Sequence, residues 1–320
     1  MTTARASRGL EAGSRSESTG SAPRRKRRQP FPWFKYVTLA PLVVLTLAFV
    51  AYPIFELIKT SFGKVQLFEG NLTWSFVGFD NYAKMLEDPI FPVTIGNTIV
   101  FIVAAVLITV FLGVMMALIT DRVVRGQTFF QNILIWPAVI APVVISVLWL
   151  LILSPQLGLI NKALRVFGLE GQTWLGDPAG AMASIIFVDV WHWTPLVYLL
   201  VYTALRTIDS SILEAAQVDG ASYLKIIRSV ILPILTPAIV GVAAVRLIMS
   251  VKVFDEMYLL THGGPGLSTT VISLYIRTVF FDRLDFGYGS ALSIVVIVSV
   301  LLALIIGVAG RSLFTRIRND

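Results

Sequence analysis

The chain has 320 residues, none of them cysteine; 56% are hydrophobic and only 14% are charged. A soluble domain carries about 25% charged residues, so this chain has too little charge to cover a water-facing surface, and its mean hydropathy of +0.80 agrees. A soluble enzyme, a disordered protein and a nucleic-acid binder are therefore poor starting points. The missing cysteines exclude disulfides, thiolate metal sites and a cysteine nucleophile. The net charge of +7 sits largely in an N-terminal run and in short loops between apolar segments, the distribution of a membrane topology. The two histidines, His192 and His262, lie 70 residues apart and give no metal-ligand spacing.

Residues 1–30 are small, polar and basic, ending in Arg24-Arg25-Lys26-Arg27-Arg28. They have almost nothing to bury, which predicts a disordered tail. The apolar run that follows is too long for a signal peptide, and no small-residue cleavage site follows it. Spanning a bilayer takes about 20 apolar helical residues. Six stretches qualify: 36–58, 94–119, 131–153, 181–203, 234–258 and 288–310. Each is predicted helical, because a spanning segment must satisfy its own backbone hydrogen bonds. An all-α, six-helix membrane protein is the expected fold, with a transmembrane domain over 36–310 and a cytoplasmic C-terminal tail at 311–320. With the N-terminus inside, the cytoplasmic pieces hold 14 Lys and Arg from Arg24 onward, against 7 in the external pieces. That bias predicts both termini in the cytoplasm. Arg246 and Lys252 remain inside the fifth stretch. Aromatics near the span ends, such as Trp74, Phe79, Trp174 and Phe281, suit the lipid headgroup level.

The cytoplasmic loop 204–233 carries the strongest signal. Asp209, Ser210 or Ser211 can cap a short helix with Glu214 in its first turns, where a carboxylate is favoured. Ala215 and Ala216 keep that helix narrow, and Gly220 permits a turn. A second amphipathic stretch follows, with Tyr223, Ile226, Ile227, Val230 and Ile231 on its apolar side and Lys225 and Arg228 facing away. Pro233 and Pro237 mark the entry to the fifth span. Two readings stand: a helix lying at the interface, or a protruding helix-turn-helix that inserts into a partner.

Glu214-Ala215-Ala216, Asp219-Gly220-Ala221 and Leu232-Pro233 resemble the signature loop of the membrane subunits of bacterial binding-protein-dependent ABC importers. Val230 stands where that pattern usually has Ile. Pro237 and the extended form of the loop are similar to the sugar-uptake branch. Two further segments agree. One is Phe76-Val77-Gly78-Phe79-Asp80-Asn81-Tyr82 with Asp88-Pro89-Ile90-Phe91 and Asn97-Thr98; the other runs from Phe254 through His262-Gly263-Gly264-Pro265-Gly266 to Ser268-Thr269-Thr270. The second resembles the larger maltose permease and the first glycerol-phosphate permease. The likeness covers about residues 36–310.

The resemblance implies a division of labour. The sequence has no Gly-x-x-x-x-Gly-Lys-Ser/Thr run, so no cofactor is expected in this chain, and ATP and Mg belong to two separate ATP-binding subunits. The implied partners are those subunits, a second homologous permease and an extracytoplasmic solute-binding protein. The implied location is the bacterial inner membrane. Glu214, Ala215, Ala216, Asp219 and Gly220 would couple to the ATPase, with Glu214 meeting a basic residue there. The chain would perform no covalent chemistry and would bias a two-state equilibrium.

The pathway is read from polar residues inside spans, which face a bundle interior or a wet cavity. Arg246, Ser250 and Val253 share one helix face, and the equivalent face in maltose-type permeases lines the sugar site. Amide side chains of that family are replaced here by Arg246 and Val253. Arg246 has two readings, as a pathway residue or as the partner of Asp189 in a structural ion pair. Lys252 belongs to another face. His192 and Trp193 fall where the family contacts sugar, and an aromatic face stacks well on a sugar ring; packing between helices is the alternative. His262 is read as a loop residue in a Gly-rich turn. An anionic polyol is the rival substrate to a neutral sugar. An ion-driven carrier using Asp189 and Asp255 is the rival mechanism.

Overall fold

The computed structural model describes residues 32–68, 71–122 and 127–317, and the expected disorder of residues 1–30 lies outside them. The chain divides into two compact units, Met1–Tyr52 and Pro53–Asp320. Helix α1 (Pro32–Ser61) begins in the first unit and ends in the second. In the first unit every described side chain from Trp33 to Tyr52 is exposed, as an apolar helix can be only where lipid or protein covers it.

Among the described residues of the second unit, the strands fall in one hairpin. Strands β1 (Gly63–Phe68) and β2 (Asn71–Phe76) form an antiparallel hairpin, with Gly63 opposite Phe76 and Val65 opposite Trp74. A Cβ on Gly63 would lie 1.9 Å from Trp74 Nε1, so only glycine lets the indole cross there. The hairpin leads to α2 (Asp80–Glu87), whose Asn81 amide donates to the carbonyls of Ser61 and Gly63, both at 2.9 Å. Next come α3 (Ile90–Arg122), α4 (Gln127–Val139), α5 (Pro142–Ile152), the short α6 (Leu159–Val166) and α7 (Pro178–Leu205). Along α3, Phe101, Ala105, Thr109, Gly113 and Ala117 recur every fourth residue and are all buried. Such a ridge of mostly small side chains lets two apolar helices approach closely where water gives no drive to associate. At Gly113 an added Cβ would meet Val197 Cγ1 of α7 at 2.5 Å.

The stretch expected as one span over 131–153 is instead two helices bent by 100°. Pro142 is the cause: its ring disfavours a helical conformation at Ala141, which is extended with φ −61° and ψ 139°. The fifth stretch, expected over 234–258, is also corrected. Helix α8 (Ser210–Val218) stands before it. Then α9 (Tyr223–Ile226), a π turn over Ile227–Ile231 and α10 (Leu232–Val251) run on as one helix. The amphipathic stretch after Gly220 is thus the first turns of the span rather than a separate arm. Leu232 donates its N–H to Ile227, five residues back, so the helix widens just where Pro233 cannot donate. At the other end α10 stops at Val251, Lys252 closes it, and α11 (Asp255–Thr261) starts with Asp255 and Glu256, acids that suit a helix N-terminus. The last elements are α12 (Ile272–Arg277) and α13 (Phe286–Ile317), which carries helix into residues expected as the C-terminal tail.

Among the described residues five helices are long and apolar enough to span a membrane, or six with the bent pair counted as one. Three apolar clusters hold the second unit. One joins Phe101, Ile145, Ile185 and Met257; one joins Ala117, Tyr198, Ile231 and Leu235; one joins Met85, Tyr275, Tyr288 and Leu292. The first two meet along α3 and α7, and the polar site lies there.

Candidate functional site: a buried charge cluster and an exposed loop helix

Helix α7 brings Asp189, His192 and Trp193 to one level, and α10 brings Arg246 and Ser250. The Arg246 side chain is buried to 1% exposure, and one Nη donates to an Asp189 oxygen while the other donates to Ser250 Oγ at 2.8 Å. Ser250 Oγ in turn donates to the Arg246 carbonyl at 2.9 Å. An unpaired charge at such a place costs several kcal/mol, which is why the two ions occur together. Arg246 thus makes the ion pair with Asp189, and its guanidinium lies 6.0 Å from the centre of the half-buried Trp193 ring. Trp193 and His192 pack at 4.5 Å between ring centres.

His192 is fully buried and its Nε2 sits 3.1 Å from the Ile140 carbonyl, at the break between α4 and α5. Its Nδ1 faces Glu256 of α11 at 3.7 Å. Glu256, exposed to only 3%, is the member that sequence reasoning missed; attention went to its neighbour Asp255, which is only partly buried. The available signal was a run of charge, Lys252, Asp255 and Glu256, at the end of an apolar stretch. Lys252 is exposed and stays apart from the cluster, whereas Val253 is buried in the apolar core beside it.

The residues of loop 204–233 lie elsewhere. Asp209 caps α8, accepting the Ser211 N–H at 2.9 Å, and that bond holds its carboxyl below the usual range. None of the nine residues of α8 is buried. Leu213 and Ala216 rest against the cluster of Ile226 and Leu235, while Glu214, Ala215, Asp219 and Gly220 are exposed and Val218 is 88% exposed. Gly220 has φ +73°, the left-handed turn that glycine adopts without strain.

The two other sequence motifs meet each other. Asn97 donates to the carbonyls of Leu267 and Thr270, at 2.7 and 3.1 Å, and Thr98 Oγ1 accepts the Ile272 N–H at 2.9 Å. They fasten the Gly-rich turn that contains His262 to α3. Nearby, Asp88 accepts from the Tyr275 and Tyr288 hydroxyls and from the Ile90 N–H. Burial pushes against the charge, yet these bonds and Arg283 hold the Asp88 carboxyl below its ordinary value. Burial and the bond to Asp88 push Tyr275 up to about 12.

The architecture defines a multi-pass helical membrane component with a charged interior and an exposed loop helix. The chain belongs to the family described as "Binding-protein-dependent transport system inner membrane component", whose model matches residues 109–319. It is a permease subunit of the ABC importers, and such subunits are not themselves enzymes. It is 34% identical to the sulfoquinovosyl glycerol transport system permease protein SmoG of Agrobacterium fabrum, over 80% of this chain and 83% of the relative. It is 33% identical to the trehalose/maltose transport system permease protein MalF of Thermococcus litoralis, over 83% and 89%. Its fold matches a solved bacterial ABC transporter involved in the import of the acidic polysaccharide alginate. That match has TM-score 0.76 and 25% identity, covering 89% of this chain and 96% of the other. Membership of this family sets aside the ion-driven carrier.

Proposed function

We propose that this subunit carries a neutral sugar or oligosaccharide through an ATP-driven importer, and that Arg246, Ser250, His192 and Trp193 border its pathway. One observation carries the substrate class: the Arg246 charge is already met by Asp189. A guanidinium so engaged offers little net attraction to an anion, while the flat, half-buried Trp193 beside it suits the apolar face of a sugar ring. The trehalose/maltose relative supports the neutral reading. An anionic substrate, the second reading, draws on the likeness to the alginate transporter.

In this reading residues 36–310 form the permease domain, between a basic cytoplasmic tail at 1–30 and a cytoplasmic end at 311–320. The chain pairs with a second, homologous permease, rests on two subunits that bind ATP and Mg, and receives substrate from an extracytoplasmic solute-binding protein. Helix α8 is the coupling element. Glu214 meets a basic residue of the ATPase, Ala215 and Ala216 keep the contact close, and Asp219 and Gly220 form the turn that presents it. The support is its exposure: a nine-residue helix that buries none of its own residues leaves its surface for a partner.

The test is uptake by vesicles holding the four-subunit complex, supplied with binding protein and ATP. Saturable, ATP-dependent uptake of a neutral oligosaccharide, uncompeted by acidic sugars, is expected. Uptake of acidic substrates alone would overturn the neutral reading, and uptake without the ATPase subunits would overturn the coupling role.

A further inference from the structure

The contacts of His192 do not balance for a neutral ring beside an ionised carboxylate. Its Nε2 lies 3.1 Å from the Ile140 carbonyl. A carbonyl oxygen only accepts, so Nε2 carries a hydrogen. In a neutral imidazole Nδ1 would then be a bare lone pair. That atom is buried without a hydrogen-bond partner, and it faces Glu256 Oε1 at 3.7 Å. A lone pair set against a carboxylate in a site closed to water is repulsive. One proton placed between them makes it attractive.

The charges around the pair lead to the same count. Asp189 and Glu256 are two buried acids, and Arg246 is one buried base. Glu256 lies within electrostatic reach of both Asp189 and Arg246. Asp255, partly buried, stands beside Glu256 on α11. Helices α4 and α5 bring no ionisable side chain, and the two on α3, Asp121 and Arg122, are in its last turn. A proton on His192 balances the four buried groups at two positive and two negative.

We propose that His192 and Glu256 hold a bound proton as an imidazolium–carboxylate pair, and that this pair latches two helix breaks together. Ile140 belongs to the break between α4 and α5. Glu256 opens α11, directly after the break that ends α10. His192, on the unbroken α7, reaches both at once. The imidazolium donates to a carbonyl on one side and attracts a carboxylate on the other. Without the proton the Glu256 side of the latch changes from attraction to repulsion. The two broken segments then lose their common anchor on α7. The inference stands on the geometry of the pair and holds whichever substrate is carried.

The test uses the assembled transporter in vesicles, with histidine labelled in its ring nitrogens. Subtracting the solid-state nitrogen spectrum of His192→Gln from that of wild type isolates the His192 ring; His192→Asn serves if the first variant does not assemble. At about pH 7, near the ordinary histidine range, both ring nitrogens are expected to be protonated. A ring protonated on Nε2 alone overturns the imidazolium–carboxylate pair. The second measurement is ATP-driven uptake from about pH 6 to about pH 9, expressed as the ratio of wild type to Glu256→Gln. The amide keeps the shape and cannot ionise. The ratio is expected to fall several-fold as pH rises and the shared proton leaves. A ratio independent of pH, with both proteins assembled, overturns the latch.

Discussion

Helices α7 and α8 are separated by four residues and follow opposite rules. Helix α7 buries half of its 28 residues and holds Asp189 and His192 in the interior; α8 buries none. In α7 the chain meets its own charges, pairing Asp189 with Arg246 and setting His192 against Glu256 and a backbone carbonyl. In α8 it caps the helix with Asp209, rests Leu213 and Ala216 on the bundle, and leaves Glu214 facing out. A buried polar group must find its partner within the fold, because leaving it unpaired costs several kcal/mol. An exposed one is free to take a partner from another chain. The comparison therefore divides the polar residues into those that hold the permease together and those that connect it to something else.

Damage to the interior separates from damage to the loop by what it does to stability. The largest effect is expected for Arg246→Leu, which leaves Asp189 charged and unpaired and costs about 3–5 kcal/mol. Melting of the purified complex should show it, and removing both charges together with Asp189→Leu should recover much of the loss. Equal loss in the single and double variants would mean that the pair is not the source. Next comes Glu214→Lys. Uptake should be lost while the melting temperature holds, and the ATPase subunits should no longer co-purify; wild-type uptake would remove Glu214 from the coupling contact. A smaller effect is expected from Gly220→Ala. Nothing lies within 4 Å of the added methyl, so the cost is that of a left-handed alanine, about 1 kcal/mol. Uptake should fall in proportion to the distorted turn, while assembly persists.

The smallest effect concerns the Asp88 knot, outside both regions. Its folded carboxyl titrates below the ordinary 3.8, so its stabilisation is full above about pH 4 and is lost as pH falls through the lower folded value. Asp88→Asn should therefore lower the melting temperature modestly and evenly from about pH 5 to about pH 8, and the difference from wild type should close only in stronger acid. A difference that peaks near neutrality would show that another group controls the knot.

Much of the fold was legible because its cause is local. Twenty or so apolar residues without charge point to a span, and α3, α7 and α13 stand where the hydropathy placed them. Pro142 and the Lys252–Glu256 charge run were visible as irregularities, but not as breaks. A proline inside a membrane helix kinks it, ends it or is absorbed. Pro142 breaks its span, while Pro233 is absorbed by a π turn. The choice depends on what neighbouring helices offer to the freed carbonyls, as His192 offers a hydrogen bond to Ile140.

The site divides along the same line. By itself the sequence determined the membrane class, most of the helical spans, a cap among Asp209, Ser210 and Ser211, and the turn at Gly220, since each follows from composition or from the preferences of a few adjacent residues. Only the tertiary structure decided that Arg246 answers Asp189, 57 residues away, and that Glu256 rather than Asp255 joins the interior. The physical reason is range. Hydropathy and capping act within a few turns of helix, whereas a buried charge is governed by whichever distant residue the packing of α7 against α10 and α11 sets beside it.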